Sequence, residues 1–256
     1  MNIALIQAPM QWEDIAVNFS FFEREILSLK VGTDLVILPE MFLSGFTMQP
    51  KQVAISMDHD YIVCLKRIAH DRDLAIVGSL VIEEEGRFYN RLLFIEPTGK
   101  VHKYNKCHLF SLAGEEKVYT KGDQRIIIEY KGWRICPLIC YDLRFPVFAR
   151  NKGEVYDLLI YVASWPDQRI YAWDSLLKAR AIENMSYTIG VNRSGTDEND
   201  NEYSGHTQVI DYLGKSNVEP LLGQMISYVT LDLVKQQKAR LRFNFLGDAD
   251  DFKLIQ

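Results

Sequence analysis

Residues 133–146 read WRICPLICYDLRFP, and this stretch decides the predicted fold. The run 135–139 is apolar and short and follows a glycine-containing turn, a combination that is typical of a buried β-strand. Cys140 stands where this strand ends, and Asp142 is placed to cap a helix that we predict over 143–151. The stretch therefore predicts a strand that leads into a helix through a sharp elbow, with a thiol at the elbow.

A thiol at such an elbow points outward, and its sulfur lies close to backbone N–H groups that have no other partner. These N–H groups lower the pKa of a thiol and can hold an oxyanion, so Cys140 is a candidate nucleophile. The alternative is an ordinary buried cysteine, which is the commonest state of a free thiol. This stretch alone leaves both interpretations open.

The composition argues against several classes of protein. A hydrophobic content of 48% over 256 residues is enough for a sizeable core, and a net charge of −5 argues against a general nucleic-acid binder. The chain has no apolar run long enough to span a membrane, and its first residues lack the basic region of a secretory signal. Without a CxxC pair or a nearby His cluster, the four cysteines predict a reduced, cytoplasmic protein with no metal: Cys64, Cys107, Cys136 and Cys140.

Strand and helix patterns alternate along much of the chain. The predicted strands are 2–8, 34–38, 74–81, 88–96, 101–104, 125–130, 135–139, 157–163 and 187–192, followed by two late strands, 205–212 and 225–233, that pair with each other. The predicted helices are 15–29, 61–70, 143–151, 170–185 and 234–240, and the predicted loops include 105–122 and 196–202. Because no linker or repeat interrupts this pattern, we predict a single domain over 1–256, an α/β sandwich of two sheets covered by helices.

Two further polar residues stand near the ends of predicted strands. Glu40 follows a buried strand at its C-terminal end, where open α/β sheets bind ligands. Lys106 lies at the start of the long predicted loop. The alternatives are an exposed loop carboxylate and a solvated surface lysine, which is what most lysines are. Neither residue is decisive alone, but each follows a strand, so the two could meet Cys140.

Three segments carry a specific resemblance to a known family. They are LPEMFLSGF at 38–46, YNKCHLF at 104–110 and LICYDLRFP at 138–146. In order and separation they resemble the signature segments of the nitrilase superfamily, the carbon–nitrogen hydrolases, and the resemblance covers residues 2–233. Further segments, YVASWPDQR at 161–169, AWDSLLKARAIENMSY at 172–187 and GVNRSG at 190–195, resemble the omega-amidase branch. Members of that branch hydrolyse the terminal amide of 2-oxoglutaramate to 2-oxoglutarate and ammonia.

The resemblance implies a fold and a mechanism. The fold is the four-layer α-β-β-α sandwich of the nitrilase type, and the reaction needs no metal or other cofactor. Cys140 is implied to attack the amide and form a thioester, with Glu40 as general base and Lys106 as a charged partner that stabilises the oxyanion. Family members carry a second carboxylate seven residues before a glycine, which selects Glu115 here because Gly122 follows at that distance. Its neighbour Glu116 remains an alternative.

Substrate recognition is predicted from charge and shape. The carboxylate of a small 2-oxo acid amide suits an arginine, and either Arg144 or Arg169 could hold it. Additional candidates are Tyr141, whose backbone N–H could join the oxyanion site, Trp165 and Phe42 as pocket walls, and Tyr104, His108 and Arg193 near the site. The resemblance further implies a homodimer that pairs through the helices after the elbow and at 170–185.

Three other functions remain to be weighed. Another carbon–nitrogen hydrolase, acting on a carbamoyl amine or another small amide, is the nearest alternative, and nitrile hydrolysis is less consistent with the later segments. A binding protein without catalysis would be favoured by loss of Glu40, Lys106 or Cys140, and all three are present. A dinucleotide-binding oxidoreductase needs a glycine-rich turn after the first strand, and residues 8–14 contain no glycine.

Overall fold

Two six-stranded sheets and a short two-stranded ribbon carry the fold, in a computed structural model that describes residues 1–223 and 225–252. Residues 253–256, at the end of the predicted domain, lie outside the described residues. In chain order the strands are β1 (Asn2–Ile6), β2 (Leu35–Ile37), β3 (Ala75–Glu84), β4 (Arg87–Ile95), β5 (Val101–Asn105), β6 (Ile128–Tyr130), β7 (Trp133–Ile139), β8 (Leu158–Ala163), β9 (Tyr187–Asn192), β10 (Ser194–Thr196), β11 (Glu202–Ser204), β12 (Gln208–Ile210), β13 (Ser216–Val218) and β14 (Ile226–Thr230). The helices are α1 (Ile15–Leu27), α2 (Pro50–Val53), α3 (Asp60–Arg72), α4 (Pro146–Ala149), α5 (Ile170–Asn184) and α6 (Leu233–Phe243). Within the described ranges, no helix has the length and apolar character that crossing a bilayer requires.

The two large sheets lie face to face between helices. The first has the order β14-β1-β2-β3-β4-β5, and the second has the order β13-β12-β9-β8-β7-β6. The central strands β1, β2 and β3 run parallel, as do β7, β8 and β9, and the outer strands are antiparallel. Helices α1 and α3 cover the first sheet, and α5 covers the second. This arrangement confirms the predicted α-β-β-α sandwich.

Alternating residues of the first sheet divide between two cores, because successive side chains of a strand point to opposite faces. In β1, Ile3 and Leu5 belong to the core that contains the second sheet, whereas Ala4 and Ile6 pack with the residues of α1 and α3. A strand that is buried on both faces reads as a continuous apolar run. The central strands could therefore be predicted from the sequence as continuous apolar runs.

Helix α5 approaches the second sheet closely at a glycine. A Cβ on Gly190 of β9 would lie 2.5 Å from Cδ1 of Leu177 and 2.6 Å from the indole of Trp173, both on α5. Those distances are shorter than any ordinary van der Waals contact, so a larger residue at position 190 would push α5 away. Because Gly190 has no side chain, α5 can pack directly against β9.

The prediction of one continuous helix over 143–151 is wrong. The chain makes a 3-10 turn at Cys140–Arg144, and only the single turn of α4 follows it. Phe145 has an extended φ of −112° and ψ of 85° between the two pieces, because the ring of Pro146 disfavours a helical conformation in the preceding residue. The elbow after β7 is confirmed, but it leads into a broken helix.

The predicted pairing of the two late strands is also wrong. Strand β12 joins β9 and β13 in the second sheet, whereas β14 joins β1 in the first, with Asn2 opposite Thr230. Each strand was recognised from its apolar residues, but a local pattern contains no information about which distant strand is the partner.

The long loop predicted over 105–122 begins one residue later than expected, because β5 continues to Asn105.

Candidate active site

Glu40, Lys106 and Cys140 line one cavity of about 420 Å³. Each residue follows closely on the end of a strand: Glu40 comes after β2, Lys106 after β5 and Cys140 after β7. The first two strands belong to one sheet and the third to the other, so the cavity lies where the two sheets meet. The structure therefore brings together the three residues that the sequence separates by 66 and 34 positions.

The Lys106 ammonium lies between two carboxylates. Its Nζ is 3.0 Å from Oε1 of Glu40, 3.0 Å from Oε1 of Glu115 and 2.9 Å from Oε2 of Glu115. Burial by itself lowers the pKa of this lysine, but the negative charges of Glu115 and then Glu40 outweigh it and raise the pKa above its ordinary value. Lys106 therefore stays charged at neutral pH.

Both carboxylates are fully buried and receive further hydrogen bonds. Glu40 accepts from Nδ2 of Asn90 at 2.8 Å and from the backbone N–H of Ser164 at 2.9 Å. Glu115 accepts from the backbone N–H of Phe110 at 2.6 Å. Burial raises the pKa of Glu115, and the Lys106 charge opposes that rise. The neighbouring Glu116 is exposed, so the structure brings Glu115, and not Glu116, to this cluster.

Cys140 adopts a left-handed backbone conformation at the elbow, with φ of 42°, which residues other than glycine rarely take. Burial raises the pKa of its thiol well above the ordinary value, and the charge of Glu40 raises it further, against the opposing effects of Lys106 and of the Ser164 N–H. The sequence-based expectation of a lowered pKa is therefore wrong, because burial outweighs the effect of the nearby N–H group. A neutral thiol beside a carboxylate can lose its proton to that carboxylate as it attacks.

A network around Asp142 joins the elbow to the segment that carries Lys106. Its carboxylate accepts from the backbone N–H of Ile139 at 3.0 Å, from the hydroxyl of Tyr104 at 2.7 Å and from the backbone N–H of His108 at 3.1 Å. The Nδ1 atom of His108 lies 2.7 Å from the same carboxylate. Tyr104 and His108, which the sequence suggested could lie near the site, therefore contact Asp142 and do not line the cavity.

The predicted substrate-binding residues Tyr141, Arg144, Trp165 and Arg169 all line the cavity. The guanidinium carbon of Arg144 lies 4.9 Å from the ring centre of Trp165, and that of Arg169 lies 5.3 Å from the ring centre of Phe110. Among the described residues, neither guanidinium has a hydrogen bond or a carboxylate partner. Aromatic rings thus hold both groups in place while their N–H donors remain available to a ligand.

The predicted wall residue Phe42 and the additional candidate Arg193 lie elsewhere. Phe42 is buried in the core between the first sheet and its helices, 5.2 Å from the ring of Phe22 and tightly against Gly78 of β3, so the prediction that it lines the pocket is wrong. Arg193 is also fully buried outside the cavity, with its guanidinium carbon 4.5 Å from the ring centre of Tyr203.

Several cavity residues were not anticipated from the sequence. The polar loop between β10 and β11 contributes Asp197, Asn199 and Asn201, and Tyr203 of β11 follows them. Asp197 shapes this loop by accepting hydrogen bonds from the backbone N–H groups of Asn199 and Asn201 and from the Tyr203 hydroxyl. Composition correctly indicated a loop, but no local signal showed that it folds over the cavity.

In the part of the chain that the structure describes, no group of three or more His, Cys, Asp or Glu residues could hold a metal ion.

Comparison with known proteins agrees with this geometry. The family described as "Carbon-nitrogen hydrolase" matches residues 2–241. The chain is 40% identical to "Omega-amidase YafV" of Escherichia coli strain K12, covering 99% of this chain and 98% of that protein. It is 33% identical to "2-oxoglutaramate amidase" of Bacillus subtilis strain 168, covering 94% and 93% of the two chains.

A solved structure of a related protein has nearly the same fold. XC1258 from Xanthomonas campestris, a CN-hydrolase superfamily protein with an arsenic adduct in its active site, is 39% identical to this chain. The two superpose with a TM-score of 0.96 over 99% of this chain and 98% of the other. By its full-length similarity, its sandwich fold and the arrangement of its buried residues, this chain belongs to the carbon–nitrogen hydrolase family.

Proposed function

We propose that this protein is an omega-amidase that hydrolyses the terminal amide of 2-oxoglutaramate, or of 2-oxosuccinamate, to the 2-oxo acid and ammonia. Relatives that match nearly the whole chain are named omega-amidase and 2-oxoglutaramate amidase. The observation that carries the proposal is the cavity in which Cys140, Glu40 and Lys106 meet. Arg144 and Arg169 line the same cavity, and their guanidinium groups have no acidic partner among the described residues. A thiol, a base and a fixed cation are the groups that acyl transfer from an amide requires.

In the first half of the proposed reaction, the Cys140 sulfur attacks the amide carbonyl. A carbon–sulfur bond forms, the thiol proton passes to Glu40, and the carbonyl oxygen becomes an oxyanion. Lys106 and the backbone N–H of Tyr141, in the first turn after the elbow, stabilise that oxyanion. Glu40 then gives its proton to the amide nitrogen, the carbon–nitrogen bond breaks, and ammonia leaves a thioester on Cys140.

In the second half, water replaces ammonia in the cavity. Glu40 removes a proton from the water as the water oxygen attacks the thioester carbonyl. The carbon–sulfur bond then breaks to release the carboxylic acid, and Glu40 returns its proton to the sulfur to restore the thiol. Before the substrate reacts, Glu115 holds Lys106 in place through contacts from Nζ to both of its carboxylate oxygens. No redox change or external cofactor is needed for either half.

The proposed function is tested by ammonia release from five compounds. We expect turnover of 2-oxoglutaramate and 2-oxosuccinamate, and much slower turnover of glutamine, a carbamoyl-β-amino acid and an aliphatic nitrile. Inactivity on both oxo-amides would contradict the omega-amidase assignment. Activity on the carbamoyl compound or on a neutral amide instead would favour another carbon–nitrogen hydrolase reaction on the same residues.

The second expected result concerns the carboxylate of the substrate. Replacing Arg144 or Arg169 with glutamine removes a charged donor from the cavity, and a hydrogen bond to a charged group contributes about 1.5–3 kcal/mol. For the arginine that binds the carboxylate, we expect KM for 2-oxoglutaramate to rise about 10- to 100-fold. A neutral aliphatic amide serves as the control substrate, because its KM has no carboxylate to lose. Unchanged KM in both variants and in the double variant would contradict arginine recognition.

We also propose that the protein is a homodimer and acts in the cytoplasm. Large apolar side chains are exposed on the two helices that are implied to pair: Val147 on α4, and Tyr171 and Ile182 on α5. A subunit interface would cover such residues, and the free cysteines suit a reducing compartment. Sedimentation at micromolar concentration should give the mass of two chains, and Tyr171→Asp should shift it toward one. A wild-type monomer would contradict the dimer.

A further inference from the structure

Asn90 lies behind the two buried carboxylates and outside the cavity. It belongs to β4, its side chain is fully buried, and its backbone carbonyl accepts a hydrogen bond from the N–H of Lys106 at 3.0 Å. Its Nδ2 donates to Oε1 of Glu40 at 2.8 Å and lies 3.4 Å from Oε1 of Glu115. Among the described residues, Asn90 is the one uncharged side chain that reaches both carboxylates.

The charges in this cluster do not balance without such donors. Two buried carboxylates share one ammonium, and a buried charge is costly unless hydrogen bonds compensate it. The Asn90 amide can serve both acids only with its nitrogen toward them, because the reverse orientation would place Oδ1 against two negative groups. Consistent with this, Asn90 Oδ1 has no hydrogen-bond partner among the described residues.

The hydrogen bonds of Lys106 show why a second donor matters. An ammonium has three N–H donors, and its three contacts here are all to carboxylate oxygens. Lys106 can therefore hold an oxyanion only if one of these contacts is released. The contact to Oε1 of Glu115 is the easiest to release, because Oε2 keeps its own contact and Asn90 Nδ2 remains near Oε1.

We propose that Asn90 is a positioning residue for the proposed amidase reaction. Its amide holds the Glu40 and Glu115 side chains in place while Lys106 turns one N–H toward the tetrahedral intermediate. The inference rests on the proposed function for its kinetic test. Because Asn90 does not line the cavity, its contribution appears in the transition state and not in substrate binding.

The test compares Asn90→Leu and Asn90→Asp with Thr188→Val as a matched control. Thr188 is a fully buried polar residue in β9 whose hydroxyl has no hydrogen-bond partner among the described residues, and it lies outside the cavity. For Asn90→Leu we expect kcat on 2-oxoglutaramate to fall about 10- to 100-fold, the size typical of outer-shell partners in metal sites, with KM nearly unchanged. Thr188→Val should retain the wild-type kcat.

A second readout does not depend on the substrate. The rate at which iodoacetamide alkylates Cys140, followed by mass spectrometry of the peptide that contains it, is measured as a function of pH. Burial already raises the pKa of Glu115, and loss of the nearby Asn90 donor adds to that rise, so the acidic limb of this profile should move to higher pH in Asn90→Leu. Asn90→Asp keeps the side-chain shape but adds a negative charge, so it should move the acidic limb of the alkylation profile in the same direction. If Asn90→Leu does not fold, Asn90→Asp provides the test.

The outcomes separate the two proposals. A wild-type protein that releases no ammonia from the oxo-amides contradicts the proposed function, and the alkylation profiles still test Asn90. An active wild type with Asn90 variants that keep both kcat and the alkylation profile overturns the inference alone. A rise in KM at unchanged kcat would also overturn it, because Asn90 would then shape the cavity and not the transition state.

Discussion

Cys140→Ala is expected to abolish amide hydrolysis while leaving the fold intact. Without the sulfur no thioester can form, and removal of a nucleophile of this kind costs about 10⁴–10⁶-fold in kcat. The residue is only partly buried at the surface of the cavity, so the change in unfolding free energy should stay within about 1 kcal/mol. Ammonia release and the thermal midpoint, measured on the same preparation, check both expectations.

Cys136→Ala is the matched control, because this thiol lies on β7, four residues before Cys140. It is fully buried and does not line the cavity, so a substrate bound there cannot reach its sulfur. We expect Cys136→Ala to lose some stability by leaving a small cavity but to keep its activity. Loss of activity in Cys136→Ala with retention in Cys140→Ala would show that the wrong sulfur was chosen.

A covalent intermediate gives an independent check on the same residue. Rapid quenching during turnover of 2-oxoglutaramate should increase the mass of the peptide that contains Cys140 by one acyl group, and hydroxylamine should remove it. The Cys140→Ala protein should show no such adduct under the same conditions. An active wild-type enzyme without a detectable adduct, even at saturating substrate, would argue for direct attack by water and against a thioester.

The sequence predicted the central strands and the three catalytic candidates because both have local signals. Buried parallel strands read as apolar runs, and Glu40 and Cys140 each follow one of them closely. Lys106 follows the antiparallel edge strand β5, and it was predicted from the segment that resembles the family. The second carboxylate was predicted from a fixed distance to Gly122, and the structure explains why position 122 is a glycine. A Cβ at position 122 would lie 2.2 Å from the carbonyl oxygen of Asn105, directly before Lys106, so only glycine fits where the chain returns to this lysine.

The missed features depend on contacts between distant parts of the chain. Asn90 looks like an ordinary polar residue within a strand, and its partners lie 50 and 25 positions away. Tyr203 belongs to a strand of three residues, and nothing local shows that it reaches the cavity. The prediction for Phe42 was wrong for a different reason. Its position two residues after Glu40 suggested that it would line the cavity, but its ring packs in the core between the first sheet and its helices.

Lys106→Met is expected to abolish most activity and to make stability depend on pH. Loss of one oxyanion donor costs about 10²–10³-fold in rate, and loss of the charge that orients both carboxylates adds to that. The substitution leaves Glu40 and Glu115 buried without their cation, and breaking a buried pair in this way typically costs about 3–5 kcal/mol. Lys117→Met, an exposed lysine in the same segment, should change neither property.

The direction of the pH dependence follows from Glu115. Burial already raises its pKa, and Lys106 is the charge that opposes that rise, so removing Lys106 raises the pKa further. An acid whose pKa is higher in the folded state loses stability as pH rises above its unfolded value of about 4.3. The unfolding free energy of Lys106→Met should therefore fall relative to wild type between pH 5 and pH 8, as measured by urea denaturation.

Adding Glu115→Gln to Lys106→Met should restore part of the lost stability at pH 8. The glutamine can still hydrogen-bond inside the cluster, but it removes one of the two uncompensated charges, so the double variant should be more stable than Lys106→Met alone. The double variant should remain inactive, because stability returns without the oxyanion donor. If the penalty of Lys106→Met does not change with pH and Glu115→Gln does not relieve it, the damage comes from lost packing of the long side chain. In that case the two carboxylates would not hold the buried charge that the proposed mechanism assigns to them.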